Sequence, residues 1–448
     1  MNQPLLTKKN LRYCYFGKRT LLIPCKIYTQ LQEIKSQKVF EMKESSLYLN
    51  IFLLYHFFMQ SIYQRTVEIL ADLVSFPVLG GESNLSILQY IQEYLDSHEV
   101  AYQLVPNQDG SKASLFARIG PAVDGGIILS GHMDVVPVEG QDWKTEPFVL
   151  TQIEDKLYAR GAADMKGFVA SCLANVPYFK SLHLEKPIYF AFSYDEEVGC
   201  LSAPELVKAL LDFYEEKPAF AWIGEPTVMQ PMVGQKGICV LETTVYGSAG
   251  HSSRIRQEVS AIHEAAKLVV WIENKMHELV NSGHLDNRFT PPHSSLHVGV
   301  FRGGIAPNVI SDVCTFQWDV RTIPSDKLTD ILADFQSYCT QREEELKLRF
   351  AGARIVTTEH HPPVPPLDTP EDQEIVSFIR SISPIQELGT VSYAAEAGQF
   401  AEAGLQAIIC GPGDIAQAHR ANEFIEIKQL ELGLDMLHKL GQKLAHSS

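Results

Sequence analysis

In SYDEEVGC (residues 193–200) three acids, Asp195, Glu196 and Glu197, stand side by side directly after the apolar run PIYFAFS (residues 187–193). Such a run reads as a buried strand, and a strand that ends in adjacent carboxylates ends in mutual repulsion. A solvated rim would relieve it. The VGC that follows brings no basic neighbour, however, and a divalent cation would supply the missing positive charge. Adjacent side chains of extended backbone diverge, so Glu197 could bind metal while Glu196 stays free to move a proton.

Four further residues of ligand type stand at or just after expected strand ends. His132 in SGHMDVVP (residues 130–137) follows GGIIL, with Asp134 two residues on and therefore on the same side of the strand. A carboxylate there fixes an imidazole's tautomer and raises its basicity, as around metal-binding histidines; alone, such a pair is more often an ordinary surface hydrogen bond. Asp164 in YARGAADMKGF (residues 158–168) sits in a small-residue turn before a helix, where a lone aspartate reads as an N-cap. Glu225 in WIGEPT and His419 in GPGDIAQAHRANEF read alone as a turn acid and a loop histidine. As a set, two imidazoles and three carboxylates, one able to bridge, suit a pair of zinc-like ions about 3.5–4 Å apart.

The elements that must position these groups follow from periodicity. Val67, Leu70, Leu73 and Val74 form one helical stripe, and Ile87, Tyr90, Ile91 and Leu95 another. Short apolar strands (GGIILSG, PIYFAFS, AFAWIGEP, QAIICGPG) then alternate with helical stretches, which predicts an α/β fold with a largely parallel sheet flanked by helices. In such sheets ligands bind beyond the carboxyl ends of the strands. From residue 236 to about 359 the rhythm becomes β-α-β-β-α-β, an inserted ferredoxin-like α+β unit. Its first helix carries Val259, Ile262, Ala266, Val269, Ile272 and Met276 as the expected core stripe. The proline-dense HHPPVPPLDTP (residues 360–370) reads as the return linker. The divisions expected are therefore 1–58, 59–235, 236–359 and 360–448.

The 448 residues exceed the usual limit for a single core. A net charge of −16 argues against nucleic acid as a partner, because binding phosphates needs a basic face. The 8 cysteines are scattered singly, with no CxxC pair, which fits a reducing cytoplasm. HExxH, GxSxG and Walker A patterns are absent. GPGDIA imitates a dinucleotide fingerprint, but no βαβ unit follows it.

In their order and spacing SGHMDVVP, ARGAADMKG, YDEEVG, IGEPT and GPGDIAQAH resemble a zinc-dependent deacylase and carboxypeptidase family. That family includes aminoacylase, succinyl-diaminopimelate desuccinylase and carboxypeptidase G, and the resemblance runs from about Tyr63 to the C-terminus. It implies a zinc-exopeptidase-like catalytic domain whose insert is a dimerisation lid, hence a homodimer. It implies two Zn2+ per subunit, replaceable by Co2+. His132, Asp164 and Glu225 would hold one, and Asp164 would bridge to a second held by Glu197 and His419. Glu196 would be the general base and Asp134 the partner of His132. His251 in GSAGHSS would reach the partner subunit's site to stabilise an oxyanion, and Asn308 and Arg321 would grip a substrate carboxylate. The implied reaction is hydrolysis of a linear amide in an N-acyl amino acid, N-acetyl-L-ornithine giving acetate and ornithine. Glu396 in SYAAEAGQF would then meet the ammonium group, unless it is only a helix-start acid. Open alternatives are another N-acyl amino acid, succinyl-diaminopimelate or a dipeptide, and, in another class, a metal-free dimeric binding protein. Two departures bear on substrate: Gln235 in GQKG stands where related deacetylases commonly show histidine, and HSSRIRQEVSA lacks the usual proline and glycine.

Residues 1–58 have no counterpart in that pattern. They hold nine Lys or Arg against three Glu, a balance of +6 that leaves −22 for the remainder. LYLNIFLLYHFF (residues 47–58) is apolar but well short of the ~20 residues a membrane helix needs. It also lies too far in, without a cleavage site, for a secretory signal. The segment reads either as an appendage upstream of a working start at Met59, with no firm membrane association, or as a helix for a membrane surface or partner. A chain begun at Met59 is expected to keep its activity and cellular distribution; a change in either assigns the segment a role.

Overall fold

The computed structural model describes residues 11–16, 19–24 and 44–445, with side chains from residue 59 onward. Leu11–Phe16 and Arg19–Pro24 form an antiparallel hairpin. The apolar stretch 47–58 lies on the helix Glu44–Val74, which continues into the folded body through the buried Ile62, Ile69, Leu70, Leu73 and Val74. No described helix is long and apolar enough to cross a membrane.

The main sheet has nine strands, and its centre explains where the ligand-type residues fall. Gln406–Ile409, Phe220–Ile223, Ile127–His132 and Ile188–Ser193 lie side by side in parallel. Parallel strands share a direction, so the residues after Ile409, Ile223, His132 and Ser193 all emerge at one edge. The flanks pair antiparallel, Ala113–Ile119 and Tyr102–Pro106 on one side, Met232–Gln235 and Leu367–Asp368 on the other, except that the ninth strand, Gly389–Val391, runs parallel to Met232–Gln235. Each central strand is buried on both faces, with alternate residues serving opposite cores. Leu129, Phe190 and Phe192 join the core under the helices Gly167–Ala174 and Ile427–Leu444, while Ile128, Tyr189 and Ala191 join the one under Ala203–Phe213.

The segment expected to be a plain linker supplies an edge strand, Leu367–Asp368, paired with Gly234 and Gln235. Val364 bridges Ile238 three residues further along. The chain thus leaves and re-enters the main sheet side by side, with prolines tolerated because the strand is an edge. Beyond this neck Gly237–Tyr246, Ser295–Gly303, Val313–Thr322 and Arg354–Glu359 form a four-stranded antiparallel sheet with the β-α-β-β-α-β chain order. The helices Ala261–Asn281 and Leu328–Lys347 contribute to its core. The core face of the first is rotated from the expected stripe: Ala261, Ala265, Leu268, Ile272 and Leu279 are buried, whereas Ala266 is exposed. Alanines on both faces leave the period ambiguous by one position, and packing against the sheet decides it.

On the C-terminal helix His438 is 6% exposed, stacks on Tyr178 at 4.5 Å and accepts from Gln442 Nε2 at 2.9 Å. Burial pulls its pKa down to about 4. Between pH 6.5 and 4 the unfolded chain therefore takes up a proton that the folded chain refuses, so stability falls with falling pH across that window. Relative to its own stability at pH 8, His438→Gln is expected to lose less on acidification to pH 4, by about 3 kcal/mol of unfolding free energy at most; parallel stability–pH curves from denaturant unfolding of parent and variant would contradict this.

Candidate metal centre

His132 is the last residue of its central strand and 1% exposed. Its Nδ1–H donates to the Asp134 carbonyl oxygen at 2.9 Å, with the Asp134 carboxylate further off at 3.6 Å. The carbonyl therefore fixes the ring, and Nε2 is turned toward three carboxylates: Asp164 Oδ1 at 3.0 Å, Glu225 Oε1 at 3.8 Å and Glu196 Oε2 at 3.9 Å.

Asp164 lies in the segment Ala162–Lys166, ahead of the helix Gly167–Ala174, with non-helical backbone (φ −119°, ψ 95°), and its side chain does not cap that helix. Its second oxygen, Oδ2, lies 3.4 Å from His419 Nε2, which also meets Glu197 Oε2 at 2.9 Å. One carboxylate thus stands between two imidazoles. Glu225 follows the strand Phe220–Ile223 through Gly224, where any side chain would overlap the Phe168 ring at 2.0 Å. His419 has a left-handed backbone, φ 61°.

The three acids of residues 195–197 do not continue the strand in extended form. Asp195 has φ 56°, and the chain turns, with the Gly199 and Cys200 N–H groups donating to the Glu196 carbonyl. Glu196 and Glu197 are separated by this turn rather than by extended geometry. Nor are all three acids left to a metal ion: Lys112, distant in sequence, forms a part-buried ion pair with Asp195, which also accepts the Gly81 N–H at 2.8 Å. The Asp134 carboxylate accepts the backbone N–H groups of Glu196 at 3.2 Å and Glu197 at 3.1 Å. Its main contact is therefore with the turn that carries the glutamates.

The electrostatics suit a cation. Burial and the neighbouring acids hold Glu196 and Glu225 well above the usual carboxylate range, and burial with Asp164 raises Glu197 to about 7. Burial opposes charge on His132, but Asp164, Glu196 and Glu225 outweigh it and push its pKa well up. Hydrogen bonds to Asp164 and Glu197 raise His419 to about 10. Among the described residues no Lys or Arg forms an ion pair with Asp164, Glu196, Glu197 or Glu225. Ligand atoms of His132, Asp164 and Glu197 lie within 4.8 Å of one another, as do those of His132, Glu196 and Glu225. A donor set of imidazole nitrogens and carboxylate oxygens at this spacing fits divalent metal.

Other residues singled out in the sequence lie differently. Glu396 is 1% exposed, precedes the helix Ala397–Glu402 and accepts from Ser130 Oγ of the His132 strand at 3.4 Å. His251, Asn308 and Arg321 belong to the inserted unit and make no hydrogen bond or ion pair with the cluster among the described residues. His251 is exposed beside Ser253, the Asn308 carbonyl accepts from Ser252 N–H, and Arg321 donates to Asp319 at 3.1 Å. Sequence reasoning passed over Tyr393. Its phenol is buried without a hydrogen-bond partner and is pushed well up in pKa by burial and by Glu225, Asp164 and Glu196. Only its place three residues before Glu396 in SYAAEAGQF hinted at it.

A sheet with carboxylates and imidazoles gathered beyond its parallel strands, His132 buried and His419 half-exposed, defines a metal-dependent hydrolase acting on amide bonds. Residues 128–443 match the model of peptidase family M20/M25/M40. An acetylornithine deacetylase of Pectobacterium carotovorum subsp. carotovorum (strain PC1) is 32% identical over 343 residues, 75% of this chain and 84% of that protein. A tripeptidase of Staphylococcus aureus superposes with a TM-score of 0.66 at 17% identity, covering 85% of this chain and 98% of that one. A dinuclear metal-binding M20 peptidase of Bacillus subtilis does so with a TM-score of 0.56 at 14% identity, covering 86% and 99%. The chain belongs to the M20/M25/M40 peptidase family.

Because Asp164 faces both imidazoles, Asp164→Ala is expected to release metal from the whole centre, whereas His419→Ala gives up only one equivalent. Metal content after dialysis, measured by mass spectrometry, separates these outcomes; equal losses would contradict the geometry.

Proposed function

We propose that this chain removes the acetyl group from N-acetyl-L-ornithine, yielding acetate and ornithine. The observation that carries the chemistry is Asp164 standing between His132 and His419, with Glu196 beside them. The substrate rests on relatives near 30% identity, including the Pectobacterium protein and an acetylornithine deacetylase of Aliivibrio salmonicida that is 30% identical across 92% of its length.

In this reading His132, Asp164 and Glu225 hold one Zn2+, and Asp164, Glu197 and His419 hold the other; Co2+ substitutes. When bound, the pair lowers the pKa of water toward neutrality and polarises the acyl oxygen. Glu196 takes a proton from the attacking water and returns it to the leaving amine. Its raised proton affinity suits both transfers, and the Cys200 thiol, 3.2 Å from its Oε1, steadies it. Asp134 keeps the two glutamates in place through their amides. His251, brought from the partner subunit of a homodimer, donates to the developing oxyanion, while Arg321 and Asn308 hold the substrate carboxylate. Glu396 receives the side-chain ammonium. The inserted unit, residues 236–359, is the dimerisation lid; Trp271, stacked on Tyr338, and the half-exposed Val270 give its helices an apolar outer face. The six described cysteines, all buried and free, suit a cytoplasmic protein.

Glu196→Gln is expected to lower kcat by about 10²- to 10⁴-fold with metal content unchanged; near-normal turnover would refute the base assignment. Across a panel of N-acetyl-L-ornithine, other acylated amino acids, succinyl-diaminopimelate and dipeptides, N-acetyl-L-ornithine is expected to give the highest kcat/KM. A higher value for any other member would transfer the assignment to that substrate.

A further inference from the structure

Behind the cluster lies a second set of buried charges. Arg160 and Glu423 are each 1% exposed and paired at 2.7 Å. Glu423 spends its other oxygen on backbone, accepting the N–H of Ala163 at 2.9 Å and of Asp164 at 3.2 Å. Arg160 reaches the opposite way. It donates to the Arg420 carbonyl at 3.2 Å, the Pro137 carbonyl at 3.4 Å and Gln141 Oε1 at 2.6 Å, with its guanidinium over the Trp143 ring. Gln141 Nε2 then donates to the His419 carbonyl at 3.0 Å. An unbroken chain of bonds therefore runs from the Asp164 amide through Glu423, Arg160 and Gln141 to the backbone of His419.

A buried ion pair is a poor device for stability, since apolar residues of like volume commonly serve as well or better. This one joins two loops that carry ligand-type residues. His132 ends a central strand and Glu225 follows one closely, so the sheet itself holds them. His419 comes from a loop with left-handed backbone, and its side chain is 55% exposed. We infer that Arg160, Glu423 and Gln141 are positioning residues that hold His419 opposite Asp164 and so set the affinity of the metal position formed with Glu197. The inference rests on the ligand assignment proposed above.

The test starts from the cobalt-loaded full-length chain, titrated with a chelator while the visible Co2+ absorption and the bound metal are followed. Parent, Glu423→Gln and Gln141→Leu are compared; the last leaves the buried pair intact, so it decides should Glu423→Gln fail to fold. The expected result is that the variants release one equivalent at the parent's chelator concentration and the other about 10- to 100-fold more readily. Two equivalents held by Gln141→Leu as tightly as by the parent would overturn the inference alone, as would equal weakening of both. A parent holding fewer than two equivalents would overturn the ligand assignment and this inference with it.

Discussion

Mutual repulsion among buried carboxylates is the constraint to which the rest of this structure answers. Asp164, Glu196, Glu197 and Glu225 converge where water is largely excluded, and their raised or displaced proton affinities measure the cost. Imidazoles answer part of it and divalent metal the rest. A protein stable by only a few kcal/mol overall cannot leave such a cluster uncompensated.

The parallel centre of the main sheet gathers His132, Glu196, Glu197 and Glu225 at little conformational expense, while Asp164 arrives from the segment Ala162–Lys166 ahead of a helix. Four strands that run one way deliver their following residues to one edge, although those residues are far apart in the chain. The helices on both faces exclude water from the strands and leave that edge as the place where backbone must turn. Hence left-handed residues such as Asp195 and His419 collect there.

Around the ligand-type residues lies a layer whose work is orientation. The Asp134 carboxylate holds the amides of Glu196 and Glu197, Lys112 neutralises Asp195, and Glu423 holds the amide of Asp164. The two segments that meet at Arg160 flank the antiparallel strands Lys156–Tyr158 and Phe424–Glu426, so strand pairing and the buried ion pair tie them together. A half-ångström error in any of these would alter how the oxygens share a cation, which is why charged groups recur in so buried a position.

The amino-acid sequence by itself determined the types and order of the chemistry-bearing residues, the alternation of strand and helix, and the β-α-β-β-α-β rhythm of the insert. All of these are written in neighbouring residues, through periods of two and 3.6. Tertiary structure alone decided the antiparallel flanks of the sheet, the rotated core face of Ala261–Asn281 and the edge strand hidden in a proline-rich segment. It alone brought Lys112 to Asp195 and turned Asp134 toward the glutamate amides. These depend on contacts between residues tens to hundreds of positions apart, and on backbone conformations that a residue's type permits but does not announce. Arg160 and Glu423 show the limit most clearly: both stand inside recognisable motifs, yet only the folded chain places them 2.7 Å apart.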